Sequence, residues 1–260
     1  MSESRRGFLR LIGGALLGGM ASESLLACAA VAASSSGGRL SARPDRPRGS
    51  VKIGLQSLGL VATDDTRLYV PSSYRADKPA TLIVGMHGAT QDSDFTLYIL
   101  REAAEANGHL LLAPKSRDVS WDFIRGGFGE DERLLDSALE WCFDRCNIDP
   151  ARIVLAGFSD GATAALSLGL INGDLFTRLI AYSPGFILGD ERHGKPPIFI
   201  SHGRRDQILP IEDTSYRIVP LLKRQGYDVT FKEFDGPHRA PPDMIAASMA
   251  WLRTLAPVGR

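Results

Sequence analysis

Arg152-Ile153-Val154-Leu155-Ala156-Gly157-Phe158-Ser159-Asp160-Gly161-Ala162-Thr163-Ala164-Ala165-Leu166-Ser167-Leu168-Gly169 is the stretch on which the reading of this chain turns. A β-branched apolar run enters Gly157-Phe158-Ser159-Asp160-Gly161, and a run of small residues at helical spacing leaves it. That strand–turn–helix setting is what a G-x-S-x-G nucleophile elbow requires. A serine on so sharp a turn sits in strained backbone, so its neighbours two residues away must be small. The turn lifts the hydroxyl above the sheet edge, and the next helix aims its first N–H groups at the site. Gly is abundant, 27 of 260 residues, so the pattern alone could be an ordinary turn. The strand before it and the helix after it favour Ser159 as a nucleophile.

A serine needs a base, and the base needs an orienting acid. In this architecture both come later in the chain, in the order Ser, acid, His, each on a loop after a strand. Asp206 stands just past the apolar run 198–201, and His238 just past the run 229–234. Asp206 would fix the tautomer of His238, which would take the Ser159 proton. Asp213 falls inside a helical pattern, and Asp235 is too close to His238 to reach it from a separate loop. His87 and His202 end strands, whereas His109 and His193 lack the order. An oxyanion would need two backbone donors: the N–H of Asp160 and, from the loop Met86-His87-Gly88-Ala89-Thr90-Gln91, that of Ala89. On the substrate side, Gly88 would let the backbone approach the ester, with His87 bracing the loop beneath. Trp121 is a candidate wall of an acyl or alcohol pocket and equally a candidate core residue.

Around these motifs strands and helices alternate. Residues 51–61 and 66–70 read as an antiparallel entry pair, and Ala80-Thr81-Leu82-Ile83-Val84-Gly85-Met86 as a strand buried on both faces. Helices are expected over 95–107, 131–146, 214–225 and 244–255, and further strands over 109–113, 179–182, 197–201 and 228–234. The expectation is an α/β fold, a mainly parallel sheet with helices on both faces. Short spacers leave no room for a large lid. Cys142 and Cys146, four apart on one helix, read as buried free thiols, and no metal-ligand spacing appears.

The chain is 44% apolar and 23% charged with net charge +0, which offers no electrostatic case for nucleic acid or an anionic membrane as partner. Ser4-Arg5-Arg6-Gly7-Phe8-Leu9-Arg10 and the uncharged stretch 11–20 match a twin-arginine export signal, taken as residues 1–28. The apolar run is too short for a spanning helix. Leu25-Leu26-Ala27-Cys28 resembles a lipobox, with Cys28 lipidated and the protein anchored to the cell envelope. Ala27-Cys28-Ala29 equally fits an A-x-A cleavage site and a periplasmic or secreted product. The Ser/Gly/Arg/Pro-rich residues 29–50 read as a flexible tether, and 51–260 as the catalytic domain.

The elbow and its partner loops resemble the α/β-hydrolase superfamily over roughly residue 51 to the C-terminus. Within it they are similar to two groups: the phospholipase/carboxylesterase group, with its acyl-protein-thioesterase-like enzymes, and the polyhydroxybutyrate-depolymerase-like and feruloyl-esterase-like secreted esterases. Met86-His87-Gly88-Ala89-Thr90-Gln91 is similar to the HGxTQ loop of the depolymerase-like enzymes, and Asn147-Ile148-Asp149-Pro150-Ala151-Arg152 to their approach to the elbow. Ser201-His202-Gly203-Arg204-Arg205-Asp206 resembles the acid loop of both groups. Ala162 after Gly161 and Pro237 before His238 depart from the family pattern and remove no reactive group. The resemblance implies an exported serine esterase acting on a small or polymeric ester through an acyl-enzyme, with no cofactor. An amidase or peptidase with the same triad, and a non-catalytic binding lipoprotein of this fold, are the alternatives.

Overall fold

The strand Ala80–Met86 (β3) shows how the layers form. From Thr81 onward it is buried on both faces, with Leu82, Val84 and Met86 in one core and Ile83 in the other. The alternation is the period of two of an extended chain, and apolar side chains on both sides demand a helix layer on each. The computed structural model describes residues 37–60, 66–125 and 127–254. Residues 1–28, expected to be an export signal, lie outside them, Cys28 included.

In chain order the elements are β1 (Gly54–Ser57), β2 (Arg67–Val70), β3, α1 (Ser93–Asn107), β4 (Leu110–Ala113), α2 (Asp122–Arg125), α3 (Glu130–Arg145) and β5 (Ile148–Phe158). There follow α4 (Asp160–Ile171), β6 (Arg178–Tyr182), β7 (Ile198–Gly203), α5 (Ser215–Arg224), β8 (Val229–Phe234) and α6 (Pro242–Thr254). They form one sheet in the order β1-β2-β4-β3-β5-β6-β7-β8. β1 and β2 run antiparallel to their neighbours, and the ladders from β4 to β8 are parallel. One face carries α3, α4 and α5, through Leu135, Leu139, Leu166 and Leu222. The other carries α1 and α6, through Leu100, Ala104, Ile245 and Met249.

Local signals set most boundaries. Asp92 accepts from the N–H groups of Asp94 and Phe95 and starts α1. Gly108, at φ 68°, ends it. Two details differ from expectation. The single turn α2 falls where a loop was expected. β5 begins at Ile148, ahead of Pro150, and its register against β3 shifts between Ala80 and Leu82, an irregularity that tolerates proline. α5 contains Pro220.

The larger correction concerns residues 37–50, which belong to the domain and are no tether. Leu40 and Ala42 are each only 3% exposed. The Asn172 side chain donates to Gly38 O and accepts from Leu40 N, and Asp136 accepts from the N–H groups of Ser41 and Ala42. Arg39 donates to Ile171 O and to Asp174, whose carboxyl it holds well below the usual range. Arg48 and Gly49 donate to Asp144 O. The stretch has few apolar residues, yet α3 and the end of α4 supply partners for its backbone, which is what a buried segment needs.

Cys142 and Cys146 are free and buried. Burial pushes the Cys146 thiol up to about 12.

Candidate active site

β5 delivers the chain to Ser159 at φ 58° and ψ −121°, and α4 starts at the next residue. A non-glycine residue there is strained by roughly 1–3 kcal/mol, so surrounding bonds must hold it. Ser159 N–H donates to Tyr182 O at 3.0 Å, and Ser159 O accepts from the N–H groups of Ala162 and Thr163. Sterics dictate both glycines. A Cβ on Gly157 would lie 2.0 Å from Gly161 O, and one on Gly161 would lie 2.1 Å from Met86 O. Gly157 lets the turn close on itself, and Gly161 lets α4 begin against the end of β3.

The loops after β7 and β8 converge on this serine. His238 Nε2 lies 2.9 Å from Ser159 Oγ, and His238 Nδ1 lies 2.6 Å from Asp206 Oδ2. A carboxylate only accepts, so Nδ1 carries the proton and Nε2 is free to accept from the serine hydroxyl. Asp206 Oδ1 accepts from Ile208 N at 2.9 Å and Leu209 N at 2.8 Å. Its side chain is inaccessible, whereas that of His238 is 13% exposed. The two loops are tied directly: Arg205 N–H donates to Gly236 O, and a Cβ on Gly203 would lie 2.3 Å from that same oxygen. The Phe158 ring packs at 4.8 Å from the His238 imidazole. Such a relay can carry a proton from a hydroxyl to an imidazole while a buried carboxylate steadies the resulting cation.

The loop after β3 lies against the same serine. A Cβ on Gly88 would fall 3.2 Å from Ser159 Cβ, and Gly88 N–H is held by Gln91 Oε1 at 2.9 Å. Thr90, at φ 61°, turns the loop and donates to Val119 O. Ala89 is exposed. Ala89 N–H and Asp160 N–H have no partner among the described residues, the second because it opens a helix. Two of the candidates lie beneath this loop. His87 is 0% exposed; its Nδ1 lies 2.8 Å from Gly88 O, and its Nε2 accepts from Ser116 N. Burial keeps that imidazole below its ordinary pKa, hence neutral. Trp121 is 1% exposed, donates from Nε1 to His87 O and packs on the His87 ring. Neither can wall a substrate pocket; both lie beneath the loop and brace it.

Three further residues support the site. Ser120 Oγ donates to Asp160 Oδ2 at 2.5 Å, Gln91 holds the loop, and His202 stands behind Asp206. Ser120 meets a partner 40 residues on, whereas Gln91 and His202 act within their own loops, three and four residues from their partners. Among the described residues no three His, Cys, Asp or Glu side chains come together to hold a metal ion.

The model of the phospholipase/carboxylesterase family matches residues 124–256, just over half of the 260. The chain belongs to the phospholipase/carboxylesterase family. Its sheet order, elbow and helix layers are those of an α/β-hydrolase fold. Among curated relatives, "Probable feruloyl esterase C" of Aspergillus oryzae is 30% identical over 154 residues, 56% of this chain and 56% of that protein. "Acyl-protein thioesterase 1" of Gibberella zeae is 32% identical over 120 residues, 42% of this chain and 51% of that protein. The chain spans about half the length of the curated relatives it matches. Among solved structures, esterase PE8 superposes with a TM-score of 0.61 at 21% identity, over 78% of this chain and 100% of that one. A thermostable esterase gives 0.62 at 22% identity, over 73% of this chain and 58% of that one. At such identities the likeness is one of fold.

Proposed function

We propose that this family member is a serine esterase that cleaves carboxylic esters through an acyl-enzyme. The observation that carries the reading is the unbroken relay Ser159–His238–Asp206, with distances of 2.9 and 2.6 Å. Ser159 Oγ attacks the ester carbonyl carbon as His238 Nε2 takes its proton, and Asp206 stabilises the imidazolium. The tetrahedral oxyanion accepts from the N–H groups of Ala89 and Asp160, neither of which has a partner among the described residues. Collapse expels the alcohol, which takes the proton from His238 and leaves Ser159 acylated. Water, deprotonated by His238, then releases the acid. Relatives named for feruloyl esters and acyl thioesters supply the substrates to try first.

A fluorophosphonate probe tests this directly. The folded protein should label at Ser159, and Ser159→Ala should abolish both labelling and turnover of p-nitrophenyl acetate, by at least ~10⁴-fold. Labelling that survives Ser159→Ala, or a wild-type serine that never labels, overturns the proposal. Preference for the p-nitrophenyl ester over a peptide anilide separates it from an amidase or peptidase.

We further propose that the protein works outside the cytoplasm, exported by residues 1–28 and anchored to the envelope through lipidated Cys28. The Arg5-Arg6 pair and Leu25-Leu26-Ala27-Cys28 support this reading. Metabolic labelling with palmitate, lost in Cys28→Ser, tests the anchor; a labelled Cys28→Ser chain would reject it.

A further inference from the structure

Behind the acid of the relay lies a second imidazole that the chemistry above does not use. His202, in β7, is 0% exposed. Its Nε2 lies 2.8 Å from Leu209 O and 3.1 Å from Asp206 Oδ2, the oxygen that also faces His238. Its Nδ1 lies 2.7 Å from the hydroxyl of Ser215, the first residue of α5. We propose that His202 is a positioning residue: a neutral imidazole protonated on Nε2 that clamps the 206–209 loop and fixes the oxygen Asp206 offers to His238. The inference rests on the esterase reading of the same site.

The tautomer follows from the partners. Leu209 O and Asp206 Oδ2 can only accept, so the nitrogen facing both must carry hydrogen. Burial, the largest influence on this ring, holds its pKa below the ordinary histidine value. Its charged or titratable neighbours are Asp206, from its own loop, and His238, from the loop after β8; α5 contributes the Ser215 hydroxyl. In the neutral ring Nδ1 has a lone pair, so Ser215 donates to it. Ser215 thereby locks the tautomer, as an outer partner does for a metal-bound histidine.

The clamp follows from the peptide of Leu209. Its N–H donates to Asp206 Oδ1 at 2.8 Å, and its C=O accepts from His202 Nε2. With Ile208 N–H also on Oδ1, that oxygen is fully engaged and the carboxylate cannot rotate. Oδ2 is left to face His238 at 2.6 Å. His202 anchors the peptide that does the fixing, and its N–H adds a favourable dipole beside Oδ2. A residue that merely fills space at the end of β7 would leave the Leu209 carbonyl without a partner, a cost comparable to a lost hydrogen bond.

The full-length protein tests this with three variants: His202→Leu, His202→Gln and Ser215→Ala. Each is checked for folding by circular dichroism. The readouts are kcat and KM on a p-nitrophenyl ester and the downfield proton NMR signal of the His238–Asp206 hydrogen bond. His202→Leu should lower kcat about 10- to 100-fold, the weight of a hydrogen bond in a charged network, with KM within about twofold. Its downfield signal should shift or broaden away. His202→Gln, whose amide nitrogen reaches the same carbonyl, should recover kcat to within about fivefold of wild type and keep the signal. A folded His202→Leu with wild-type kcat, or equal losses in the Leu and Gln variants, overturns the proposal. If His202→Leu does not fold, Ser215→Ala decides: it keeps the ring but frees its tautomer, and should lower kcat about threefold and move the signal. An unchanged Ser215→Ala enzyme then overturns the proposal. The NMR signal needs no turnover, and a wild-type Ser159 that fails to label sinks the esterase reading separately.

Discussion

The elbow at 157–161 and the strap at 37–50 are both rich in glycine, serine and arginine or aspartate, and both are held firmly in the fold. They differ in where the holding forces come from. In the elbow the decisive contacts lie within five residues or against the strand ends next to it, as between Gly157 and Gly161 O. In the strap they come from Asp136, Asp144 and Asn172, roughly a hundred residues away. Backbone sterics write themselves into a short motif. Backbone hydrogen bonds to distant side chains do not, so similar compositions gave opposite readings.

Three changes would test that contrast. The largest effect is expected for Gly161→Ala, whose Cβ would lie 2.1 Å from Met86 O and 2.5 Å from His87 O. Backbone must move, at a cost of at least about 3 kcal/mol, and Ser159 should lose fluorophosphonate reactivity. A labelled, thermally wild-type Gly161→Ala protein would show that the elbow is not set by local sterics.

Asn172→Ala is the strap's counterpart. It strips partners from Leu40 N–H and Gly38 O while leaving the elbow's own contacts intact. Urea unfolding should show a loss of about 2–3 kcal/mol with labelling of Ser159 unchanged. No change in midpoint would mean the strap contributes nothing to stability.

The smallest effect is a separation in acid. His87 has a folded pKa below its ordinary 6.5, through burial. The unfolded chain therefore takes up that proton first, and stability present above pH ~6.5 is lost as pH falls towards the folded value. Asp174, held down from 3.8 mainly by its hydrogen bond from Arg39, contributes stability that is lost only below about pH 4. Protonated His87 can no longer accept from Ser116 N–H. Hydrogen exchange between pH 6 and 4 should accordingly deprotect the Ser116 amide, by under about 1 kcal/mol of local stability, before that of Leu40. The reverse order would contradict the assignment of both groups.

Several histidines show how far a sequence reading reaches. His238 is the candidate base because the order Ser, acid, His points to a loop after the last strand. The loop sequence places His87 at the end of β3, but its complete burial beneath the loop involves Trp121, whose own burial no local pattern reveals. His202 looked like the end of a strand. Its proximity to Asp206 arises because the 206–209 loop folds back over β7, and only the loop's conformation records that.

The sequence by itself determined the parallel sheet, the elbow and the order of its partner loops, because each rests on local periodicity or on contacts forbidden to a Cβ. The tertiary structure decided that Trp121 is core, that residues 37–50 are strapped to the domain, that Ser120 holds Asp160 and that His202 backs Asp206. Those outcomes depend on which donors and acceptors the folded loops bring together in buried space, and the pairing of buried polar groups is a property of the whole fold.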